Sequence, residues 1–144
     1  MNKLFVVAVA LLTLAGCASV PKGDPSVDAQ LKTFQVGPDK SGIYVYRNES
    51  FGAAVKMDVA IDGQAVGQTA ANTYLYKQVA PGKHTITSKA ENTETLEVDV
   101  KPGSNAYVWQ EVKMGVISAR NKLHLVDEQK GQSGVMGTAL TVAK

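Results

Sequence analysis

The chain contains a single cysteine, Cys17. A cysteine thiol can act as a nucleophile, a metal ligand or one half of a disulfide, and a single cysteine excludes a disulfide within the chain. The residues before it favour another role, because the short segment Asn2-Lys3, with one basic residue, is followed by an apolar run from Leu4 to Leu14. That run is shorter than the roughly 20 residues that cross a bilayer, but it fits the apolar region of a secretory signal peptide. The N-terminus is therefore predicted to be a targeting segment and not part of the fold.

The segment Leu14-Ala15-Gly16-Cys17 ends this apolar run and resembles a bacterial lipobox. The resemblance implies a diacylglyceryl thioether on Cys17, cleavage before it, so that residues 1–16 are the signal peptide, and acylation of the new amine by a fatty acid such as palmitate. Several acyl chains give a stable membrane anchor, whereas one chain does not. Ala18, where some sorting signals have aspartate, favours the outer membrane by the same resemblance. The alternative is an ordinary secretory signal that happens to contain a cysteine.

Histidines and carboxylates are the next candidates for chemistry. His84 follows a Pro-Gly-Lys turn and is expected at the start of a strand, as a structural histidine hydrogen-bonded to a turn. His124 is expected at a solvent-facing position of a strand. No third ligand has the spacing of a metal site around either histidine. Asp58 and Asp62 share an outward strand face, but Asp62 is explained by a turn and no calcium-loop spacing surrounds the pair. We expect no metal site.

The segment Gly131-Gln132-Ser133-Gly134 places a serine between glycines. It does not have the GxSxG spacing of a nucleophile elbow, and no buried strand precedes it. The sequence also lacks a P-loop and a GxGxxG dinucleotide motif. The sequence predicts a protein that is not an enzyme and binds no cofactor, and an envelope hydrolase is kept as the remote alternative.

The aromatic residues show a stronger pattern. All five tyrosines and the single tryptophan fall into three pairs spaced two residues apart, which are Tyr44/Tyr46, Tyr74/Tyr76 and Tyr107/Trp109. Residues two apart on a strand share a face, so each pair should project as a doublet. Aliphatic residues occupy the alternate positions and are expected to form the core. The doublets are then expected on a half-exposed face.

Two interpretations of this face stay open. It is either a platform that binds sugar rings or peptides, with Arg47 adding an ion pair or a cation–π contact, or a surface covered by the N-terminal helix or the C-terminal tail. In the second case Arg47 is a structural partner of an acid such as Asp58 or Glu49. The possible binding face comprises Tyr44, Tyr46, Arg47, Tyr74, Tyr76, Tyr107 and Trp109.

The composition is that of one globular domain, with 44% hydrophobic and 19% charged residues. A net charge of +2, scattered along the chain, does not indicate a nucleic-acid surface. Asp24-Pro25 is typical of a helix start, and Val27, Leu31 and Phe34 would form one apolar face of a short helix that ends at Gly37-Pro38. We expect this helix to dock on the domain.

From Ile43 onward the hydrophobic pattern alternates with period two. Asp62-Gly63 has the composition of a type I′ hairpin turn, and further Gly, Pro and Asn turns separate short runs at regular spacing. The pattern predicts an all-β sandwich of seven to eight short strands over residues 41–127, after a tether with a short helix at 17–40. Residues 128–144 are expected to form a tail, with at most an edge strand at Leu140–Val142.

The stretches "GIYVYRN", "VAIDGQAVGQ", "TYLYKQVAPGKHTI" and "GSNAYVWQEV" resemble the DUF2846 family of small bacterial lipoproteins, from about Gly42 to Asp127. The PGKH turn is also similar to PEGA and transthyretin-like sandwich domains. The resemblance implies a prealbumin-like sandwich and supplies no catalytic residues.

These observations together predict an outer-membrane lipoprotein that faces the periplasm. Its expected role is a non-catalytic interaction or ligand-binding module toward a glycan or an envelope protein. The alternative is a structural accessory subunit of a larger envelope assembly, in which the aromatic face is buried by protein.

Overall fold

The computed structural model describes residues 19–142, and within that range the chain forms nine strands and two helices. They are α1 (Pro25–Leu31), β1 (Ser41–Arg47), β2 (Met57–Ile61), β3 (Gln64–Thr69), β4 (Thr73–Val79), β5 (Gly82–Lys89), β6 (Thr93–Val100), β7 (Ser104–Met114), β8 (Ala119–Val126), α2 (Glu128–Met136) and β9 (Ala139–Leu140). Across residues 19–142, neither helix has the length and apolar character that a membrane crossing requires.

The strands form two sheets packed face to face. The first has the order β8-β7-β1-β4-β9 and the second the order β3-β2-β5-β6. Strand β1 lies at the centre of the first sheet, antiparallel to β4 and parallel to β7. The predicted all-β sandwich with a short N-terminal helix is confirmed.

The alternating aliphatic residues fill the space between the two sheets, as their period predicts. Ile43 and Val45 of β1 meet Val59, Ile61 and Ile86 of the second sheet in one buried cluster. All seven residues of β1 are buried, because the second sheet covers one face of this strand and further elements cover the other. This double burial means that the first sheet is the middle layer of the molecule.

The hairpin predicted at Asp62-Gly63 joins β2 to β3. Asp62 has φ 52° and Gly63 has φ 78°, so both turn residues adopt the left-handed region that this turn type requires. The turn confirms the interpretation of the sequence and places Ile61 of β2 opposite Gln64 of β3.

Helix α1 begins as predicted but ends earlier. Asp24 caps it by accepting a hydrogen bond from the Ser26 amide at 2.7 Å, and Pro25 is its first residue. The helix stops at Leu31, and Phe34 then adopts φ 58° with its amide bonded to the Leu31 carbonyl. This turn directs the Phe34 side chain onto the first sheet.

The structure differs from the sequence expectation at residues 128–142, which form α2 and β9 where a tail was expected. The Asp127 side chain caps α2 by accepting from the Lys130 amide at 2.8 Å. Strand β9 pairs with β4 through Ala139 and Leu140, next to the position suggested for an edge strand. Helix α2 lies on the outer face of the first sheet, and β9 is the edge strand of that sheet beside β4.

Candidate functional site

The aromatic residues project from the outer face of the first sheet, on the side away from the sandwich core. Tyr44, Tyr46, Tyr74 and Tyr107 form one cluster with Val135, and their exposed fractions are at most 2%. The prediction that the doublets share a face is confirmed. The prediction that this face is half-exposed is wrong for these four rings, because α1, α2 and the Leu140 side chain of β9 pack against them. The four buried rings leave no exposed face on which a sugar ring could stack, and their burial supports the interpretation of a covered face.

Helix α1 and the turn after it cover one half of the aromatic face. The Phe34 ring packs edge-on against Tyr44 at 5.6 Å between centroids and against Tyr107 at 5.9 Å. The Tyr44 hydroxyl donates to the Leu31 carbonyl at 2.7 Å, and the Tyr74 hydroxyl donates to Asp28 at 2.6 Å. These bonds satisfy the polar ends of buried tyrosines, as burial requires.

Helix α2 covers the other half through two glycines. A Cβ atom built on Gly131 would lie 2.2 Å from the Tyr107 side chain, and one on Gly134 would lie 2.2 Å from Tyr46. The helix backbone therefore rests directly on the two rings. The Gly-Gln-Ser-Gly segment is a packing surface, and this explains its glycines without any catalytic role.

Lys32 ties the two covering elements together. Its ammonium group donates to Asp28 at 3.2 Å on α1 and to the Thr138 carbonyl at 2.6 Å before β9. The same ammonium lies 5.7 Å from the Tyr74 ring centroid. The cover is thus held by charge-assisted bonds as well as by apolar contact.

Burial keeps the tyrosines neutral. It raises the pKa of Tyr44, with the neighbouring Tyr76 and Tyr107 adding to the effect, and it raises the pKa of Tyr74 together with the hydrogen bond to Asp28. A neutral hydroxyl can donate to the carbonyl and carboxylate groups of the cover. The tyrosines are therefore structural donors and not activated nucleophiles.

Trp109 and Tyr76 lie at the rim of the face and are only partly buried. The Trp109 ring stacks on His124 at 4.9 Å, and the Lys130 ammonium lies 5.1 Å from its centroid. His124 in turn contacts Glu111 at 2.7 Å, and this hydrogen bond lowers the pKa of Glu111. His124 is thus half-covered by side-chain partners and is not a freely exposed residue.

Arg47 does not belong to the aromatic face. It follows Tyr46 directly and so points to the opposite side of β1, where it is completely buried. Its guanidinium donates to the carbonyls of Gly52 and Val55, each at 2.6 Å. Burial lowers its pKa, and the nearby Glu49 opposes this shift. Buried Arg47 is not exposed to a ligand on the aromatic face, and it holds the loop between β1 and β2 through backbone carbonyls and not through an ion pair with Asp58 or Glu49 in the described residues.

Sequence reasoning missed a buried polar link between the sheets. Gln110 of β7 accepts from the Thr69 hydroxyl and donates to the Ser88 hydroxyl at 2.6 Å, and all three residues are buried. Gln110 occupies a core-facing position between Val108 and Val112, so an interruption in the aliphatic pattern was the available signal.

The remaining titratable candidates have structural partners. His84 contacts Asp62 through Nδ1 and the Ala80 carbonyl through Nε2, each at 2.6 Å, as expected for a histidine bonded to a turn. Asp58 accepts a hydrogen bond from Gln68 at 2.9 Å. Within residues 19–142 no group of three His, Cys, Asp or Glu side chains is placed to hold a metal ion. Cys17 lies outside the described residues.

An apolar cleft of about 370 Å³ opens between α1 and β9. Val27, Leu31, Tyr76 and Leu140 line it, and Val27 is 44% exposed at its edge. The cleft borders the aromatic face without reaching its buried centre. Its walls can receive an apolar side chain but offer few groups for chemistry.

The fold and the closed aromatic face define a small β-sandwich protein in which two terminal segments complete the hydrophobic core. Residues 38–122 match the family described as "Protein of unknown function (DUF2846)", and the chain belongs to this family. It is 31% identical over 141 residues to an uncharacterised protein of Haemophilus influenzae, and the match covers 96% of this chain and 83% of that protein. No solved structure matches the chain significantly.

Proposed function

We propose that this protein is a lipoprotein anchored through Cys17 in the outer membrane, with its sandwich in the periplasm. The observation that supports this proposal is the Leu14-Ala15-Gly16-Cys17 segment at the end of an apolar run. The first described residue, Ser19, comes two positions after Cys17. The sandwich would therefore sit close to the lipid.

The same proposal assigns the sandwich a non-catalytic interaction role. The residues best suited to chemistry are used in packing, since His84 bonds to a turn and Tyr74 bonds to α1. The burial of the aromatic face favours an envelope protein over a glycan as the partner. The apolar cleft beside Val27 is the surface proposed to receive it.

The accessory-subunit function is the second candidate. Val27 and Val142 are 44% and 48% exposed beside the same cleft, which favours a permanent cover by another subunit. The two candidates differ in whether the protein is stable alone. A lipoprotein that purifies and unfolds reversibly without a partner supports the interaction module, whereas obligatory co-purification supports the accessory subunit.

The anchoring is tested with Cys17→Ser in cells, with Ser19→Ala as the matched control. We expect the control in outer-membrane fractions with incorporated alkyne-palmitate, and Cys17→Ser in the soluble periplasm without label. Alkyne-palmitate label in the Cys17→Ser chain, or no label in the Ser19→Ala control, would contradict the anchor.

The interaction role is tested by a photo-crosslinking residue at Val27, with one at the exposed Lys83 as control. A specific adduct at position 27 alone is expected. Release of fragments from purified muropeptides by the wild-type protein would contradict the non-catalytic assignment.

A further inference from the structure

The hairpin between β7 and β8 ends in an exposed apolar turn. Met114, Val116 and Ile117 are 79%, 90% and 92% exposed. Gly115 and Ser118 close the turn through a hydrogen bond of 3.3 Å. Hairpin turns usually carry Gly, Asn or Asp, so two β-branched apolar residues at the apex call for a functional explanation. We name residues 114–118 the hairpin tip.

The backbone of the hairpin tip is held by a carboxylate from the turn between β5 and β6. Glu91 accepts from the amides of Val116 and Ile117 at 3.1 Å and from that of Ser118 at 3.2 Å. Three successive amides are therefore satisfied without water. This matters for contact with lipid, because unpaired backbone amides are costly in an apolar environment.

A further apolar side chain lies at the same end of the molecule. Phe51 is 55% exposed, and a Cβ built on its neighbour Gly52 would lie 2.7 Å from the Val112 side chain. Val112 comes two residues before Met114 on β7. The exposed apolar side chains of this end therefore extend from the hairpin tip to the loop between β1 and β2.

The register places the hairpin tip at the end of the sandwich where the described chain begins. Arg47, the last residue of β1, pairs with Thr73, the first residue of β4. Strand β7 runs parallel to β1 and extends beyond the position of Arg47 to Met114, so the hairpin tip lies at this end of the sheet. Ser19 lines a cleft with the Ala70–Thr73 turn at this end. Only Ala18 separates Cys17 from Ser19, and the two steps along the chain span at most about 7 Å. An anchor on Cys17 would thus keep this end of the sandwich near the bilayer.

Basic residues stand directly behind the apolar turn. Lys113 and Arg120 are exposed and face each other across β7 and β8, one pair before Met114. An exposed apolar turn that is flanked by basic residues is suited to the boundary between acyl chains and anionic headgroups. Glu91 and Glu111 lie nearby and balance these two positive charges, so the apolar residues dominate.

We infer that the hairpin tip inserts its apolar side chains into the surface of the membrane to which Cys17 is anchored. This inference rests on the proposed function, because a single short apolar turn binds lipid too weakly to act without the anchor. The contact fixes the orientation of the sandwich, so that the cleft between α1 and β9 is presented in one direction.

The test uses the full lipidated chain, reconstituted in liposomes of phosphatidylethanolamine and phosphatidylglycerol. An environment-sensitive fluorophore is attached at Ser118→Cys, which leaves Val116 and Ile117 in place. A label at Lys101→Cys, on an exposed turn at the opposite end of the sheet, is the control. Cys17 does not react, because its sulfur carries the lipid.

We expect the label at position 118 to show blue-shifted emission, quenching by doxyl lipid and protection from iodide, and the label at 101 to show the reverse. Adding Val116→Ser and Ile117→Ser to the Ser118→Cys chain should abolish doxyl quenching. The double variant controls for any affinity of the fluorophore itself for lipid.

Iodide quenching at position 118 equal to that at 101 would overturn the inference, and so would protection from both quenchers, which indicates a protein cover. Unchanged doxyl quenching in the double variant would also overturn it. In each of these cases acyl groups on the chain and its flotation with liposomes would still support the anchor. A wild-type chain that carries no acyl groups and does not float with liposomes would contradict both the lipid anchor on Cys17 and the membrane contact of the hairpin tip.

Discussion

The hydroxyl of Tyr74 lies 2.6 Å from Oδ1 of Asp28 and donates a hydrogen bond to it. Tyr74 belongs to β4 in the middle layer, and Asp28 belongs to α1 in the outer layer. The bond joins a fully buried ring to a carboxylate that Lys32 also contacts. The N-terminal helix is therefore a part of the folded domain, although it precedes the first strand by about ten residues.

Tyr74→Phe tests this connection. We expect the free energy of unfolding to fall by about 1–3 kcal/mol, because the substitution removes a buried hydrogen bond to a charged group. Asp28→Asn is the matched control, since the amide oxygen still accepts from the hydroxyl, and its effect should be smaller. Urea unfolding at neutral pH measures both. Equal stability of Tyr74→Phe and the wild type would show that the bond does not hold α1.

The two glycines of α2 give a second prediction. Replacing glycine by alanine inside a helix normally stabilises it by up to about 1 kcal/mol. At Gly131 and Gly134 we expect the opposite, a loss of about 1–3 kcal/mol, because the new methyl group would overlap Tyr107 and Tyr46. Thermal unfolding followed by near-UV circular dichroism reports the change in the aromatic cluster.

Gly137→Ala is the control for the glycine series. Gly137 ends α2 with φ −80°, and a Cβ there meets its nearest neighbour at 3.7 Å. This variant should be neutral within about 0.5 kcal/mol. If all three alanine variants were neutral, α2 would not rest on the rings.

The strands could be predicted from the sequence because each one alternates against a single aliphatic core. Strands β1 to β8 all lie within the predicted sandwich region 41–127, and the Asp62-Gly63 turn has the predicted backbone. The cover of the aromatic face could not be predicted in this way. Helix α2 contacts the rings with Gly131 and Gly134, and glycines leave no hydrophobic periodicity for pattern reasoning to detect.

The polar residues inside the core could not be predicted from the sequence for a related reason. Arg47 and Gln110 occupy core-facing strand positions beside valines, where the alternating pattern expects apolar side chains. Their partners are backbone carbonyls or hydroxyls from distant strands, such as Gly52 and Ser88. Such contacts depend on tertiary structure, so sequence spacing alone does not show them.

Arg47→Lys provides a third prediction. One ammonium group cannot reproduce the planar fork that bonds Gly52 and Val55, so we expect a loss of about 1–3 kcal/mol. Amide hydrogen exchange in residues 48–56 should also become faster. Arg120→Lys, at an exposed position, should change neither quantity. Slow exchange in the Arg47→Lys loop would mean that other contacts hold this segment.

The pair His84 and Asp62 predicts a pH-dependent stability. Burial disfavours the charged imidazole, but the hydrogen bonds to Asp62 and to the Ala80 carbonyl outweigh it and raise the pKa of His84 above 6.5. The hydrogen bond to His84, together with that from the Thr85 amide, lowers the pKa of Asp62 below 3.8. The folded state thus favours the charged form of both groups.

The directions of the two pKa shifts define the pH range in which the His84–Asp62 pair stabilises the fold. A raised histidine pKa stabilises the fold fully below pH 6.5, and this contribution is lost as the pH rises through the folded-state pKa. A lowered aspartate pKa stabilises above pH 3.8 and is lost as the pH falls through its folded-state value. We therefore expect the pair to contribute most between about pH 4 and 6.5.

Asp62→Asn isolates this contribution, because asparagine tolerates the left-handed turn position and still accepts from the Thr85 amide. Urea unfolding of both chains at pH 5.5, 7 and 9 gives the difference in unfolding free energy at each pH. That difference should be largest at pH 5.5 and shrink toward pH 9, as His84 loses its proton in the folded wild type. A difference that stays constant over this range would show that the charged state of the pair does not stabilise the hairpin.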